Sequence, residues 1–193
     1  MRTCDEKYKK NNYGSSHQLF KEKGYEKTNV TDICKTAGIT KGTFYYHFPN
    51  KDEITFEFYE KIYEDFYEKI VDIMMIQNAK EQLWRVYEFS IDRTIELTPQ
   101  VLYALIMSDI QKGFDFFTPY QNIKLSTTSS KQTRLQIEIV KKGQVAGEIK
   151  AGDPEMMVRT FIAALMGIAI AWGRSDGAFD EKAELKKVFE IIF

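Results

Sequence analysis

Several residue types and patterns that mark particular classes of protein are scarce in this sequence. Only two cysteines occur, Cys4 and Cys34, and their spacing matches no metal site. Cys34 falls on an apolar helical face, which predicts a small residue of the protein core that stays reduced in the cytoplasm. Alternating strand patterns are nearly absent, so we predict an all-α chain. The first residues lack the apolar segment of a signal peptide, and we expect a cytoplasmic protein.

Sequence patterns of common enzyme classes are missing as well. No G-x-S-x-G, HExxH, P-loop or dinucleotide-binding glycine pattern occurs, so we expect neither an enzyme nor a cofactor. Cys4, His17 and Cys34 have no recognisable metal-ligand spacing, and we expect no metal site. The longest strongly apolar run, from Phe161 to Trp172, is too short for a membrane span and predicts a buried helix.

Charge is distributed unevenly along the chain, although the formal net charge is only −1. Residues 1–51 carry ten Lys or Arg against five Asp or Glu, a balance of +5, so the rest carries −6. Such an asymmetry indicates that the N-terminal part meets a polyanion. A solvated lysine-rich surface would give the same balance, so charge alone leaves both interpretations open.

The segment that runs from residue 29 to residue 48 predicts two short helices joined by a tight turn. Asn29 followed by Asp32 is typical of a helix N-cap, and the apolar residues that follow recur at helical spacing. Gly38 permits the left-handed backbone of a sharp turn. Any small helical protein contains such corners, so the corner alone does not indicate a function. The function must be inferred from the residues of the second helix.

The second helix, which Thr40 can cap, places Phe44 and Phe48 on its inner side and leaves an unusual outer side. The residues toward solvent are small, polar, basic or aromatic: Thr40, Lys41, Gly42, Thr43, Tyr46 and His47, with Tyr45 at the edge. A helix that reads DNA exposes short polar side chains to base edges, while its flanks donate to phosphates. Gly42 would let the backbone approach a phosphate closely, and Lys51 would add positive charge nearby.

This stretch resembles a known DNA-binding domain. The segment LFKEKGYEKTNVTDICKTAGITKGTFYYHFPNKDEI, residues 19–54, is similar to the N-terminal domain of the tetracycline-repressor (TetR) family of bacterial regulators. The resemblance implies a three-helix DNA-binding domain, residues 1–50, followed by a larger helical domain, residues 51–193, that binds a small molecule and dimerises. It implies that Thr40, Lys41, Thr43, Tyr46 and His47 face the groove. Phosphate contacts would come from Thr28, Thr31, Gly42, Tyr45 and Lys51.

The larger domain carries no comparable motif, and its site must be predicted from residue types. Aromatic residues and methionines are abundant there, which fits either a well-filled core or an apolar ligand pocket with a few polar anchors. We predict a pocket with Tyr87, Tyr103 and Asp109 as anchors. The predicted ligand-binding residues are Trp84, Tyr87, Tyr103, Met107, Phe114, Phe117, Tyr120 and Trp172.

The last two predicted helices have features of a dimer interface. Alanines and Gly167 in the helix that begins at Pro154 allow a second helix to approach closely, so two such helices from each chain can form a four-helix contact. An intramolecular core would use the same apolar residues. The predicted interface residues are Met157, Phe161, Ala164, Leu165, Ile168, Val188, Phe189 and Ile192.

These observations predict a dimeric transcriptional repressor that a small apolar or aromatic effector releases from a near-palindromic DNA operator. The expected partners are therefore double-stranded DNA, a small molecule and a second copy of the chain, with no membrane. The alternative is a ligand-binding or protein-interaction protein whose DNA-binding function has decayed. Its support is the predicted first helix, where Asn11 and Asn12 interrupt the apolar face.

Overall fold

The computed structural model describes residues 16, 19–20, 22–25, 27–51, 68–112 and 127–193. Every regular element within these residues is a helix, which confirms the predicted all-α class. The helices are α1 Val30–Ala37, α2 Lys41–His47, α3 Ala79–Ile95, α4 Pro99–Lys112, α5 Thr127–Val145, α6 Pro154–Arg174 and α7 Glu181–Ile192. Residues 19–20, 22–23 and 68–74 are also helical.

Apolar spacing in the larger domain predicts one helix from about Ala79 to Leu97 and another from around Lys131. In the structure, α3 ends at Ile95 and α5 begins at Thr127. The early start of α5 lies in a Ser/Thr-rich stretch, where local propensity is poor because hydroxyl side chains compete for backbone hydrogen bonds. The sequence also predicts helices over about residues 5–23 and 50–75, and most of both ranges lies outside the described residues.

The corner between α1 and α2 forms as the sequence predicts. Asn29 Oδ1 accepts a 3.0 Å hydrogen bond from the backbone of Asp32, and Asp32 Oδ2 accepts one of 3.2 Å from the backbone of Asn29. This reciprocal capping box satisfies two backbone donors at the start of α1. Gly38 then adopts φ +67°, a left-handed conformation that turns the chain toward α2.

The helices of the larger domain pack around α6. α6 contacts α4, α5 and α7, while α3 contacts α5 and α7. The crossing of α4 and α6 is close, because a Cβ added at Gly173 would lie 2.6 Å from Tyr103 Cβ and 2.9 Å from Pro99 O. A side chain larger than hydrogen would therefore force these two helices apart.

Buried side chains form two hydrophobic clusters. The mixed core combines residues of the N-terminal part with residues of α4 and α6: Leu19, Phe20, Tyr25, Ile33, Cys34, Phe44, Phe48, Leu97, Val101, Leu102, Ile106, Ala169 and Trp172. The C-terminal core joins α3, α5, α6 and α7 around the rings of Trp84, Tyr87, Phe161 and Phe189. The N-terminal part and the larger domain thus share one core, while a second core belongs to the larger domain alone.

α6 is more apolar than the sequence interpretation assumed. Within this 21-residue helix, 18 consecutive residues have a mean hydropathy of 1.7, so the helix is by length and composition enough to cross a membrane. The apolar run Phe161–Trp172, too short by itself for a membrane span, is extended on both sides by further residues of this helix. The core helix of a soluble protein passes the same test, and α6 contacts three other helices. Only 33% of the apolar window is buried within the chain, however, which leaves an apolar surface on α6.

Candidate nucleic-acid interface and interior site

The outer side of α2 is exposed and aromatic. Tyr46 is 82% exposed and Tyr45 is 53% exposed, unusually high fractions for large aromatic side chains. Thr40, Lys41 and Gly42 are also exposed, while Thr43 and His47 are partly so. Thr31, on α1, is exposed as well. Except for Thr28 and Lys51, the residues predicted to bind DNA are thus accessible.

The inner side of α2 holds this surface rigidly. Phe44 and Phe48 are fully buried, and their ring centroids lie 5.5 Å apart. The Thr40 hydroxyl accepts a 3.1 Å hydrogen bond from the backbone N–H of Thr43 and lies 2.9 Å from the Thr43 hydroxyl. The start of the helix is therefore capped, and the side chains that would face DNA are presented from a fixed backbone.

Gly42 is not required by the fold. A Cβ built at this position would lie 3.7 Å from Thr40 Oγ1, an ordinary van der Waals distance, and its φ is not left-handed. Local packing would therefore accept alanine, which is also the better helix former. An exposed glycine without a structural reason fits the prediction that the backbone approaches a phosphate here.

Lys51 is engaged within the protein. Its Nζ donates hydrogen bonds of 2.8 Å to Tyr25 O and 3.2 Å to Thr28 O, and it lies 3.9 Å from the centre of the Tyr25 ring. Two of the three ammonium donors thus bind backbone carbonyls. In this structure Lys51 has a structural role in place of the predicted phosphate contact, because it connects the chain before α1 to the chain after α2.

Thr28 is buried, contrary to the expectation that it meets a phosphate. Its hydroxyl donates a 2.8 Å hydrogen bond to Gly24 O, and its backbone N–H donates to Tyr25 O at 3.2 Å. Only 1% of the residue is exposed. Thr28 therefore stabilises the turn that precedes α1, because both of its donors are already used inside the protein.

Near α1, the Asp32 carboxylate is paired and the Cys34 thiol is buried. Lys23 Nζ lies 3.0 Å from Asp32 Oδ1, and this contact together with the Asn29 N–H lowers the pKa of the Asp32 carboxyl. Burial raises the pKa of the Cys34 thiol, which keeps it protonated and unreactive. Within the described ranges, no group of three or more His, Cys, Asp or Glu side chains could hold a metal ion.

The residues predicted to bind a ligand do not form one set. Trp84 and Tyr87 lie in the C-terminal core, where the Tyr87 ring centroid is 4.4 Å from that of Phe161. Trp172 lies in the mixed core instead, because its position in α6 faces α4. Tyr103 and Met107 are partly buried on α4. The remaining predicted residues, Phe114, Phe117 and Tyr120, and the side chain of Asp109 lie outside what the structure describes.

Among the described residues of the larger domain, three buried polar atoms have no hydrogen-bond partner: the Tyr87 hydroxyl, Gln136 Oε1 and Glu181 Oε2. Tyr87 is an anchor that the sequence predicts, whereas Gln136 and Glu181 were missed. A signal existed, since each is a polar residue on an otherwise apolar helical stripe, with Val140 after Gln136 and Leu185 after Glu181. Burial raises the pKa of Glu181 to about 7 and that of Tyr87 above its usual value.

A groove of about 270 Å³ lies on the surface of the larger domain, next to α3. It is lined by Lys69, Asp72, Ile73, Ile76, Arg85, Glu88, Phe89 and Asp92. Two of its three acidic groups are matched by a cation, because Lys182 Nζ lies 2.9 Å from Glu88 Oε1 and 2.8 Å from Asp92 Oδ1. Arg85 contacts Glu88 at 2.6 Å as well. On α3, the charges are therefore largely satisfied within the protein.

The predicted dimer residues separate into two groups. Met157, Phe161 and Phe189 are buried inside a single chain, contrary to the prediction that they face a partner. Their rings and thioether fill the C-terminal core between α3, α6 and α7. The others are partly exposed: Ala164, Leu165, Ile168, Val188 and Ile192. Beside them, Ala163, Gly167 and Ala171 form an exposed small-residue stripe on α6.

The capped corner with a solvent-exposed, polar and aromatic second helix defines a helix-turn-helix DNA-binding protein. Comparison with known proteins agrees. Residues 15–58 match the family model described as bacterial regulatory proteins, tetR family. The chain is 24% identical to the HTH-type transcriptional repressor KstR2 of Mycolicibacterium smegmatis over 90% of this chain and 83% of that protein. It is 27% identical to the fatty acid metabolism regulator protein of Bacillus subtilis over 91% of this chain and 88% of that protein.

The fold is shared with a solved structure. The chain superposes with a TM-score of 0.63 on FadR of Thermus thermophilus, a TetR-family transcriptional repressor solved in complex with lauroyl-CoA, at 18% identity. The alignment covers 95% of this chain and 92% of that one. Residues 15–58 thus carry the DNA-binding domain of the TetR family of transcriptional regulators, which confirms the prediction made from residues 19–54.

Proposed function

We propose that this protein is a dimeric cytoplasmic repressor that holds its operator through α2 and releases it when a small apolar ligand occupies the larger domain. The observation that carries the proposal is the exposed outer side of α2, where Tyr45 and Tyr46 stand beside Lys41 and a structurally dispensable Gly42. Such a surface costs solubility unless a partner covers it. A sugar–phosphate backbone and base edges suit its mixture of hydroxyl, ammonium and aromatic groups.

Each subunit would place α2 in a major groove. In this arrangement Thr40, Lys41, Thr43, Tyr46 and His47 face base edges. Thr31, Gly42 and Tyr45 approach phosphates at the flanks. Two copies related by a twofold axis then read a near-palindromic operator, with half-sites about 34–36 Å apart or slightly more.

The second copy would bind through α6 and α7. α6 leaves most of its apolar window uncovered within one chain, and its exposed Ala163, Gly167 and Ala171 allow close approach of another helix. The partly exposed Ala164, Leu165, Ile168, Val188 and Ile192 would complete the interface. With Met157, Phe161 and Phe189 committed to the core of one chain, the proposed interface is shallower than the sequence suggests.

The ligand would occupy the larger domain, within residues 51–193, and the DNA-binding domain would comprise residues 1–50. A fold shared with a repressor that binds lauroyl-CoA favours a ligand with an aliphatic or aromatic body. The ligand would act by its higher affinity for the subunit spacing that does not fit two successive grooves. The mixed core, which includes side chains of both domains, offers a path for this coupling.

The DNA-binding half of the proposal can be tested by titrating the protein with the duplex upstream of its own gene at increasing salt. Wild type should bind this duplex more tightly than an unrelated one, and Tyr46→Ala should lower the preference. Val145→Ala is a suitable control, since Val145 is exposed but lies at the end of α5, outside the proposed DNA surface. Failure to bind any duplex at low salt would contradict the proposal and favour a decayed DNA-binding function.

The ligand half needs a separate measurement. Lauroyl-CoA is the first probe, because the superposed repressor was solved with it. Adding it to the protein–operator complex should release the duplex, while sedimentation velocity should still report a dimer. Dissociation into monomers, or a monomer before any ligand is added, would contradict the proposed mechanism.

A further inference from the structure

The groove on the surface of the larger domain is bounded by two helical sides. Its lining residues recur at helical spacing on each side: Lys69, Asp72 and Ile73 on the stretch 68–74, and Arg85, Glu88, Phe89 and Asp92 on α3. At 1.5 Å per residue, the α3 side extends over about 10 Å. The volume of about 270 Å³ suits a small molecule, since pockets that enclose drug-sized ligands usually measure about 300–1,000 Å³.

The apolar lining residues lie deeper in the groove than most of the charged ones. Ile73 is 8% exposed, and Ile76 and Phe89 are partly buried, whereas Lys69 and Asp72 are exposed. The floor of the groove is therefore made of two aliphatic side chains and an aromatic ring. An apolar group that covers this floor releases water from it, which favours binding.

On the α3 side, the charged groups already have partners. Arg85 lies 2.6 Å from Glu88. Lys182 Nζ, from α7, lies 2.9 Å from Glu88 Oε1 and 2.8 Å from Asp92 Oδ1. A ligand could pair with these groups only by competing with the contacts that they already make. This side therefore contributes shape and the Phe89 ring to the groove, and no free charge.

Lys69 and Asp72, on the other side, are the charged lining residues without a partner. Both are exposed, and neither makes an ion pair or a side-chain hydrogen bond with any residue that the structure describes. Because they are three residues apart on a helix, their Cβ atoms lie about 5–6 Å from each other. An ammonium group and a carboxylate group thus stand side by side at the edge of an apolar floor.

We propose that this groove binds a small zwitterion with an apolar body, of which a free amino acid with an apolar side chain is the simplest example. The ligand carboxylate pairs with Lys69, the ligand ammonium pairs with Asp72, and the apolar body covers Ile73, Ile76 and Phe89. Charge complementarity selects this class. An anion alone would meet the three lining carboxylates, a cation alone would leave Lys69 unpaired, and a plain hydrocarbon would pair with neither group.

This groove is distinct from the effector site proposed for the interior of the larger domain. None of the residues predicted to bind the effector lines the groove, and none of the predicted dimer-interface residues does. Binding in the groove therefore neither requires nor prevents release of the operator. Failure of either proposal leaves the other standing.

NMR titration of the isotope-labelled full-length protein tests both the place of binding and the class of ligand. L-Phenylalanine has all three features, phenylpropanoate lacks the ammonium, phenethylamine lacks the carboxylate, and L-alanine lacks the apolar body. Phenylalanine should shift the backbone amide signals of residues 69–76 and 85–92. Each probe with a single charge should bind about two- to fivefold more weakly, the factor expected for one exposed ion pair. L-Alanine should cause no shift at the same concentration.

Two variants assign these preferences to their residues. Lys69→Met keeps the aliphatic stem and should abolish the preference for phenylalanine over phenethylamine. Asp72→Asn keeps the shape of the side chain and should abolish the preference for phenylalanine over phenylpropanoate. Each variant should retain the other preference, which a general loss of structure would not allow. Lys142→Met is the matched control, because Lys142 is exposed on α5 and does not line the groove, and it should retain both preferences.

Several results would overturn the inference: no shift with any probe, shifts confined to other residues, equal binding of the four probes, or a preference that survives its variant. A dilution series without probe tests the remaining occupant, a second copy of the chain. If the amide signals of residues 69–76 and 85–92 shift with protein concentration alone, another subunit fills the groove and the inference is wrong.

Discussion

The corner around α1 and α2 and the interior of the larger domain carry their functional groups in opposite ways. In the corner, the side chains that would act are exposed, and the buried residues Phe44 and Phe48 only support them. In the larger domain, Tyr87, Gln136 and Glu181 carry unpartnered polar atoms and are buried, whereas the partly exposed Lys182 is paired with Glu88 and Asp92. The corner would meet DNA at the protein surface, whereas the larger domain would enclose a small ligand.

This contrast explains why the two regions respond differently to substitution. A surface that reads DNA can lose a side chain without losing its fold, because exposed groups contribute little to stability. In an interior that encloses a ligand, the effects of a substitution on stability and on binding are harder to separate, since each buried group affects packing as well as binding. The predictions below test whether stability and binding separate in the corner and remain joined in the larger domain.

Phe44→Ala should have the largest effect. Phe44 is fully buried, and its ring centroid lies 5.3 Å from that of Tyr45 and 5.5 Å from that of Phe48. Loss of the ring should therefore lower the free energy of unfolding by about 3–5 kcal/mol. DNA binding should be lost with it. Denaturant titration followed by circular dichroism measures the change. Tyr46→Ala, two residues away but exposed, should change stability by less than about 0.5 kcal/mol, and an equal loss in both variants would break the contrast.

Glu181 should make stability depend on pH. Burial raises its pKa from 4.5 to about 7 in the folded chain, so the folded protein retains a proton that the unfolded chain has released. Its contribution to stability therefore falls as pH rises from about 4.5 to about 7, by up to roughly 3 kcal/mol. Glu181→Gln should abolish this contribution in unfolding curves recorded across that range.

Other carboxyl groups titrate in the opposite direction, so the comparison with the variant is essential. Lys182 lowers the pKa of Glu88, for which stability rises with pH as the carboxyl ionises. Lys182 is engaged with Glu88 and Asp92 and does not neutralise Glu181. Identical pH profiles for wild type and Glu181→Gln would mean that the carboxylate is solvated or paired.

Lys51→Met should separate a structural lysine from a DNA-binding one. The variant keeps an aliphatic side chain but loses the hydrogen bonds to Tyr25 O and Thr28 O, which should cost about 1–2 kcal/mol of stability. The salt dependence of DNA binding should not change. Lys41→Met, on the exposed side of α2, should instead reduce the slope of log K against log salt by about 0.9 with no loss of stability. A reduced slope in Lys51→Met would restore its predicted phosphate contact.

Gly42→Ala should have the smallest effect on the fold and a clear one on DNA binding. Alanine is the better helix former, so stability should stay equal or rise by at most about 1 kcal/mol. Affinity should fall for operator and unrelated duplex alike, because the added methyl group blocks the approach of a phosphate. Gly38→Ala is the instructive control, since its φ of +67° makes it the structural glycine of the turn and its loss should lower stability. Unaltered DNA binding by Gly42→Ala would remove Gly42 from the interface.

Sequence patterns predicted much of the fold because most of them are local. The capping pair Asn29 and Asp32 and the left-handed Gly38 depend only on residues within one helical turn, and both features formed as expected. The predicted roles of residues were less accurate where the role depends on burial in the tertiary structure. Thr28 and Lys51 look like polar surface residues in the sequence, and only contacts with residues 24–28 show that they hold the domain together.

The amino-acid sequence by itself determined that this chain is helical, where the DNA-reading corner lies and which family its DNA-binding domain belongs to, because helix caps, apolar spacing and the exposed residues of α2 are properties of neighbouring residues. Only the tertiary structure decided which polar groups are buried without a partner. Tyr87, Gln136 and Glu181 come from three helices, and hydrogen bonding across helices depends on their packing and not on sequence spacing. Packing also assigned Phe161 and Phe189 to the core of one chain and left small residues of α6 exposed.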